Sequence, residues 1–169
     1  MQFRWYGIVL NMILAALVIS GAVFYAAFFQ GRSGESRVLE MRDAASGKLY
    51  GKWPLKDGEE FALEFIHSVH QSPVREIFTI EGSMICPVAA RFSAFGAGMQ
   101  SDLEEGQILS RDGDVLVITG FNSAFTELRY IVGTVSDHLL FIMGETVSLS
   151  ALCGKNAHIV LRITGGKNR

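Results

Sequence analysis

The sequence predicts an all-β domain, an antiparallel sandwich or small barrel of about nine or ten short strands, preceded by one transmembrane helix. Three observations predict it. Alternation of apolar and polar residues with period two recurs along the chain between closely spaced turn signals. One long uncharged apolar run occurs, confined to the amino-terminal end. No amphipathic helix of convincing length follows it, and SLSALCG, residues 148–154, reads as a single helical turn.

The apolar run, IVLNMILAALVISGAVFYAAFF, extends from Ile8 to Phe29 without a charge. Crossing a bilayer takes about 20 apolar residues, so residues 8–29 are long enough to do it. Trp5 and Tyr6 precede the run and Tyr25 lies near its end, where aromatic side chains favour the membrane interface. A cleaved signal peptide is the competing reading, but its apolar core is usually about 7–15 residues. Length therefore favours a retained anchor over residues 1–30. Arg4 lies before the run and Arg32 and Arg37 after it, so positive charge does not fix the orientation. A short tail followed by a long exported domain is the commoner arrangement, which places residues 31–169 outside the cytoplasm.

The chain has 169 residues and a formal net charge of −2, which suits one ordinary domain and gives no bulk attraction to nucleic acid. Residues 31–37 form a polar linker, 38–165 the β domain and 166–169 a frayed tail. Val38–Arg42 and Leu49–Trp53 read as strands around the turn AASGK, and LKDGEE is the next turn. The stretches 61–69 and 74–80 form a hairpin. EGS leads into Met84–Ala94, which Pro87 marks as an edge or bulged strand. FGAGM, from Phe95, is a glycine turn. Gln107–Ser110 and Asp114–Thr119 flank RDG, a hairpin signal. Glu127–Val132, His138–Met143, a short strand through Val147 and Leu149, and Ala157–Ile163 complete the set.

The 61–80 hairpin carries the chemistry. Phe61, Leu63, Phe65, His67 and Val69 alternate with Ala62, Glu64, Ile66 and Ser68, as Val74, Glu76, Phe78 and Ile80 do with Arg75, Ile77 and Thr79. His67 and Glu76 thus stand on apolar faces, where an unpaired polar group costs a few kcal/mol. With HQSP, residues 70–73, as the loop, Val69 pairs with Val74 and His67 with Glu76. The pair then satisfies itself, or it forms a ligand site.

Other chemistries find little support. No G-x-S-x-G is present, and His67 and Ser68 are strand neighbours that point to opposite faces. His67, His70 and Glu76 are metal-ligating types, but the histidines share a face only if the loop bends His70 back. Gly96-Ala97-Gly98 lacks the strand-to-helix context of a phosphate loop. SDLEEG, with Asp102, Glu104 and Glu105, reads as a solvated loop. No catalytic residue, metal or cofactor is assigned. Cys86 and Cys153 are far apart in sequence and read as small buried apolar residues unless the fold brings them together.

HSVHQSPVREIFTI, RFSAFGAGM and LRYIVGTVSDHLL, in that order, resemble a bacterial family known as domain of unknown function 1850. The matching positions are His67, Ser68, Val69, Pro73, Val74, Glu76 and Phe78, then Phe95, Gly96, Ala97 and Gly98. The likeness runs from about Leu49 to Ile163. Gln100 departs from a frequent proline, and Ser93-Ala94-Phe95 from the more usual Ser-Phe. The resemblance implies a small, non-enzymatic, membrane-anchored accessory protein associated with TAXI-type TRAP transporters. It implies a bacterial inner-membrane location with the domain in the periplasm. The implied partners are the transporter permease and its solute-binding protein. On this expectation Ser68, Gln71 and Pro73 at the hairpin tip, with Gly96, Ala97 and Gly98, meet the partner. The alternative is a small-ligand or metal-binding β-barrel module centred on His67 and Glu76, holding an acidic or apolar solute; a concave pocket reaching His67 distinguishes it.

Overall fold

A computed structural model describes residues 37–67, 71–93 and 103–165. The stretch 8–29 lies outside them, as do Ser68, the Gly96-Ala97-Gly98 turn and the tail at 166–169. Among the described residues no helix is long and apolar enough to cross a membrane.

Eleven strands and one short helix make up the described domain. A four-stranded antiparallel sheet contains β1 (Arg37–Asp43), β2 (Leu49–Leu55), β8 (Glu127–Ile131) and β11 (His158–Thr164), in the order β2-β1-β11-β8. A seven-stranded antiparallel sheet contains β3 (Glu60–Ile66), β4 (Pro73–Glu81), β5 (Met84–Phe92), β6 (Ile108–Asp112), β7 (Val115–Thr119), β9 (Leu139–Ile142) and β10 (Glu145–Ser148). Its order is β10-β9-β3-β4-β5-β7-β6. Both sheets are open, so of the two architectures expected the chain adopts the sandwich and not a closed barrel. Helix α1 (Leu149–Cys153) is the predicted helical turn, capped by the Ser148 hydroxyl, which accepts from the Ala151 amide.

Period-two alternation sets the interior. Leu39 and Met41 of β1, Leu128 of β8, and Ile159 and Leu161 of β11 form one core with Phe61 and Leu63 of β3, Phe78 and Ile80 of β4, and Leu140 and Ile142 of β9. Several are fully buried, each contributing roughly 1.5–3 kcal/mol by leaving water. A second cluster comprises Val74, Phe92, Leu116 and Ile118, with Phe65 and Phe121 packed against it. It is built on β3, β4, β5 and β7 with the segment after β7, and its described members include none from the four-stranded sheet.

Pro87 has the effect its chemistry predicts. The β4–β5 register shifts at Ile77/Phe78, where Ala89 faces Ile77 and Pro87 faces Phe78, leaving Val88 as the extra residue. β5 pairs with β7 only beyond this bulge, from Ala89 to Phe92. The strand is thus bulged and lies inside the sheet rather than at its edge. Cys86 and Cys153 are both free thiols, so no disulfide links them.

The expected hairpin register is corrected. β3 ends at Ile66, and Leu63, not His67, stands opposite Glu76. Glu64 faces Arg75 and Ile66 faces Pro73. The His67 amide donates to the Ser72 carbonyl at 2.9 Å, and the Gln71 amide donates to the His67 carbonyl at 2.8 Å. The chain therefore turns two residues earlier than the HQSP loop implied, with Gln71 in the left-handed region at φ 50°. Pro73, which has no amide to donate, becomes the first residue of β4, a strand position that tolerates it.

Candidate functional site

The register correction leaves Glu76 with a different partner. Val74, Glu76, Phe78 and Ile80 all project from the inner face of β4, as their alternation requires. On that face Glu76 lies between Leu63 of β3 and Ala90 of β5. β8 contributes Tyr130 from the other sheet on the same inward phase as Leu128. Its hydroxyl donates to Glu76 Oε2 at 2.6 Å, the length of a charge-assisted bond. Burial and the neighbouring Glu76 charge raise the Tyr130 phenol far above its ordinary range, so it remains a proton donor at every physiological pH.

A cavity of about 420 Å³ opens beside this bond. Phe65, Val74, Phe78, Phe92, Ile118 and Phe121 provide most of its apolar wall. Among the described residues, His67, Glu76 and Gln107 are its polar side chains. The size falls within the usual range for small-molecule sites, as does the balance of many apolar walls with a few convergent polar groups. His67 and Glu76, which the sequence singled out together, thus meet at one cavity without being a cross-strand pair.

A turn shapes the far wall. The Glu104 amide donates to Gln107 Oε1 at 3.0 Å, and the Gln107 side-chain amide donates back to Glu104 Oε2 at 3.3 Å. This fixes Gln107, and it gives Glu104 a structural contact rather than the purely solvated place expected of it. Phe121 follows Gly120, whose backbone packs against Gly106.

Next to the cavity, the ring of Phe65 stacks on His138 at 5.4 Å between centroids and 16° between planes. The Gly133 amide donates to His138 Nδ1 at 3.0 Å, so the other ring nitrogen carries the proton of the neutral ring. Burial lowers the His138 pKa below its ordinary value, and Asp137 partly opposes this. Asp137 accepts from the Ser148 hydroxyl, and its other oxygen accepts from the Ser150 amide at 2.8 Å. These bonds tie the loop before β9 to the start of α1.

Of the residues expected to contact a partner, Gln71 and Pro73 are exposed at the hairpin end. Ser68, Gly96, Ala97 and Gly98 lie outside the described residues. Among the described residues no group of three or more His, Cys, Asp or Glu side chains is placed to hold a metal ion. Tyr130, Gln107 and Phe121 escaped the reading of the sequence. A tyrosine on the inward phase of β8 was the available signal for Tyr130, since a buried phenol also requires a partner. Gln107 and Phe121 sit in turn and loop positions that no periodicity marks.

A family model described as Domain of unknown function (DUF1850) matches residues 61–149, a narrower span than the resemblance suggested. It runs from β3 to the first residue of α1 and takes in every cavity residue and Tyr130. No curated protein and no solved structure matches the chain.

Proposed function

The chain belongs to the domain of unknown function 1850 family, and on that premise we propose that it is a non-enzymatic, membrane-anchored small-ligand-binding module that serves solute uptake. The cavity carries this reading. It is concave, reaches both His67 and Glu76, and falls within the matched span. A fixed carboxylate inside apolar walls orients a ligand without requiring any group to act as nucleophile or base. Residues 8–29 would hold the module at the inner membrane with the domain in the periplasm.

The second reading is an accessory subunit of a TAXI-type TRAP transporter that docks on the permease or the solute-binding protein. The hairpin end favours it. Exposed Gln71 and Pro73 sit on a turn held by two backbone hydrogen bonds to His67 and Ser72. Exposed residues at the end of a hairpin are common contact points. The two readings are compatible, since a ligand-loaded module could report to a transporter.

One preparation tests both. Tagged full-length protein is recovered in mild detergent and examined by mass spectrometry, for co-purified proteins under denaturing conditions and for bound small molecules under native ones. A retained molecule that is lost when the cavity is filled by Ala90→Leu supports the binding module. A permease and solute-binding protein recovered with the wild type but not with a Gln71→Glu, Pro73→Glu double variant support docking through the hairpin end. A solitary chain free of any small molecule would count against both.

A further inference from the structure

We infer that the cavity selects small organic cations: compact, mainly apolar amines whose ammonium group rests on Glu76. This inference rests on the ligand-binding reading above and adds a chemical class to it. Tyr130 is the side-chain partner that Glu76 has among the described residues, and it engages Oε2. A carboxylate accepts about four hydrogen bonds, so one phenol leaves most of its capacity unused. Glu76 is itself one of the residues that line the cavity.

The walls favour positive charge over negative. No lysine or arginine is among the described residues lining the cavity, so an anionic ligand would meet no permanent positive charge from them and would face the Glu76 carboxylate. An acidic solute, one of the ligands the sequence left open, is therefore disfavoured. The rings of Phe65, Phe78, Phe92 and Phe121 supply the aromatic surface that attracts a desolvated ammonium group. The Tyr130 hydroxyl, donating from behind, holds the carboxylate in place and is itself kept protonated by burial and by the Glu76 charge.

The test uses three probes of nearly equal shape: benzylammonium, benzyl alcohol and benzoate. Each is titrated calorimetrically into the full-length wild-type chain at physiological ionic strength. Benzylammonium should bind about tenfold or more tighter than benzyl alcohol, with benzoate weakest. Glu76→Gln should erase the preference while leaving benzyl alcohol binding in place. Benzoate binding as well as benzylammonium would overturn the cation class and leave the cavity reading standing. Binding of none of the three would overturn both. The wild-type comparison decides the class even should Glu76→Gln fail to fold. A preference that survives in a folded Glu76→Gln chain would remove Glu76 from the site.

Discussion

The Tyr130 hydroxyl donates to Glu76 Oε2 at 2.6 Å, and the bond joins the four-stranded sheet to the seven-stranded one. Each group stands on the apolar face of its own strand, and each would be costly there alone. Together they place a fixed carboxylate at the edge of a cavity. The bond therefore contributes both to the register between the sheets and to the character of the site.

Removing either end should expose that coupling. Tyr130→Phe keeps the ring and leaves the carboxylate without its donor, at an expected loss of about 1–3 kcal/mol in urea unfolding. Glu76→Gln keeps an acceptor for the phenol and should cost less. The double variant should lose less than the sum of the two singles, since the cycle removes one shared interaction. Additive losses would show that the two groups do not depend on each other.

The contrast between these residues and His67 shows what was legible in the sequence. Strand alternation put both His67 and Glu76 on the inner side, and both residues line the cavity. The strands, their order along the chain, the bulge at Pro87 and the turn at Ser148–Gly154 could be read from local chemistry. Pairing could not. The left-handed Gln71 ends the loop before Pro73, and this moves His67 opposite Ser72 instead of Glu76. Tyr130 is 54 residues from Glu76, and no local pattern encodes which strand of the second sheet will face it. The short strand through Val147 was legible as well, but its end was read as Leu149, which the structure makes the first residue of the helical turn.

His138 predicts a pH dependence of stability. Its ring accepts the Gly133 amide on Nδ1, which a protonated imidazole cannot do. Its folded pKa is lowered, chiefly by burial, so between that value and the ordinary one of about 6.5 the unfolded chain binds more protons. The His138 contribution is therefore complete above about pH 6.5, falls as the pH drops through that value, and levels off below the folded pKa. His138→Asn keeps an acceptor near the Nδ1 position and removes the titration. Melting curves of that variant should lose part of the wild-type slope across this window, and identical slopes would exclude His138 as a source.

The two cysteines should behave as protected thiols. Burial raises Cys86, and burial with the nearby Asp43 charge pushes Cys153 up to about 11. Little thiolate exists in either case at neutral pH, and thiolate is the reactive form. Native protein should react slowly with a thiol reagent. Unfolded protein, with no reductant added, should release the full signal of both thiols. A unfolded-state signal that appears only after reduction would contradict the free-thiol state.

Two glycines with similar backbones should respond differently to alanine. Gly113 has φ +61°, and a Cβ there would meet nothing within 4 Å. Gly113→Ala should therefore cost only the left-handed penalty, roughly 1–2 kcal/mol. Gly120 has φ +77°, but its Cβ would lie 2.2 Å from the Gly106 carbonyl oxygen. Backbone cannot swing aside as a side chain can, so Gly120→Ala should cost about 1–3 kcal/mol more. The consequence reaches the site, because Gly120 precedes Phe121 and Gly106 precedes Gln107, and both neighbours line the cavity. Spreading that contact should weaken probe binding as well as stability, whereas Gly113→Ala should leave binding unchanged. Equal urea midpoints and equal probe affinities in the two variants would show that the close approach of these turns does not shape the cavity wall.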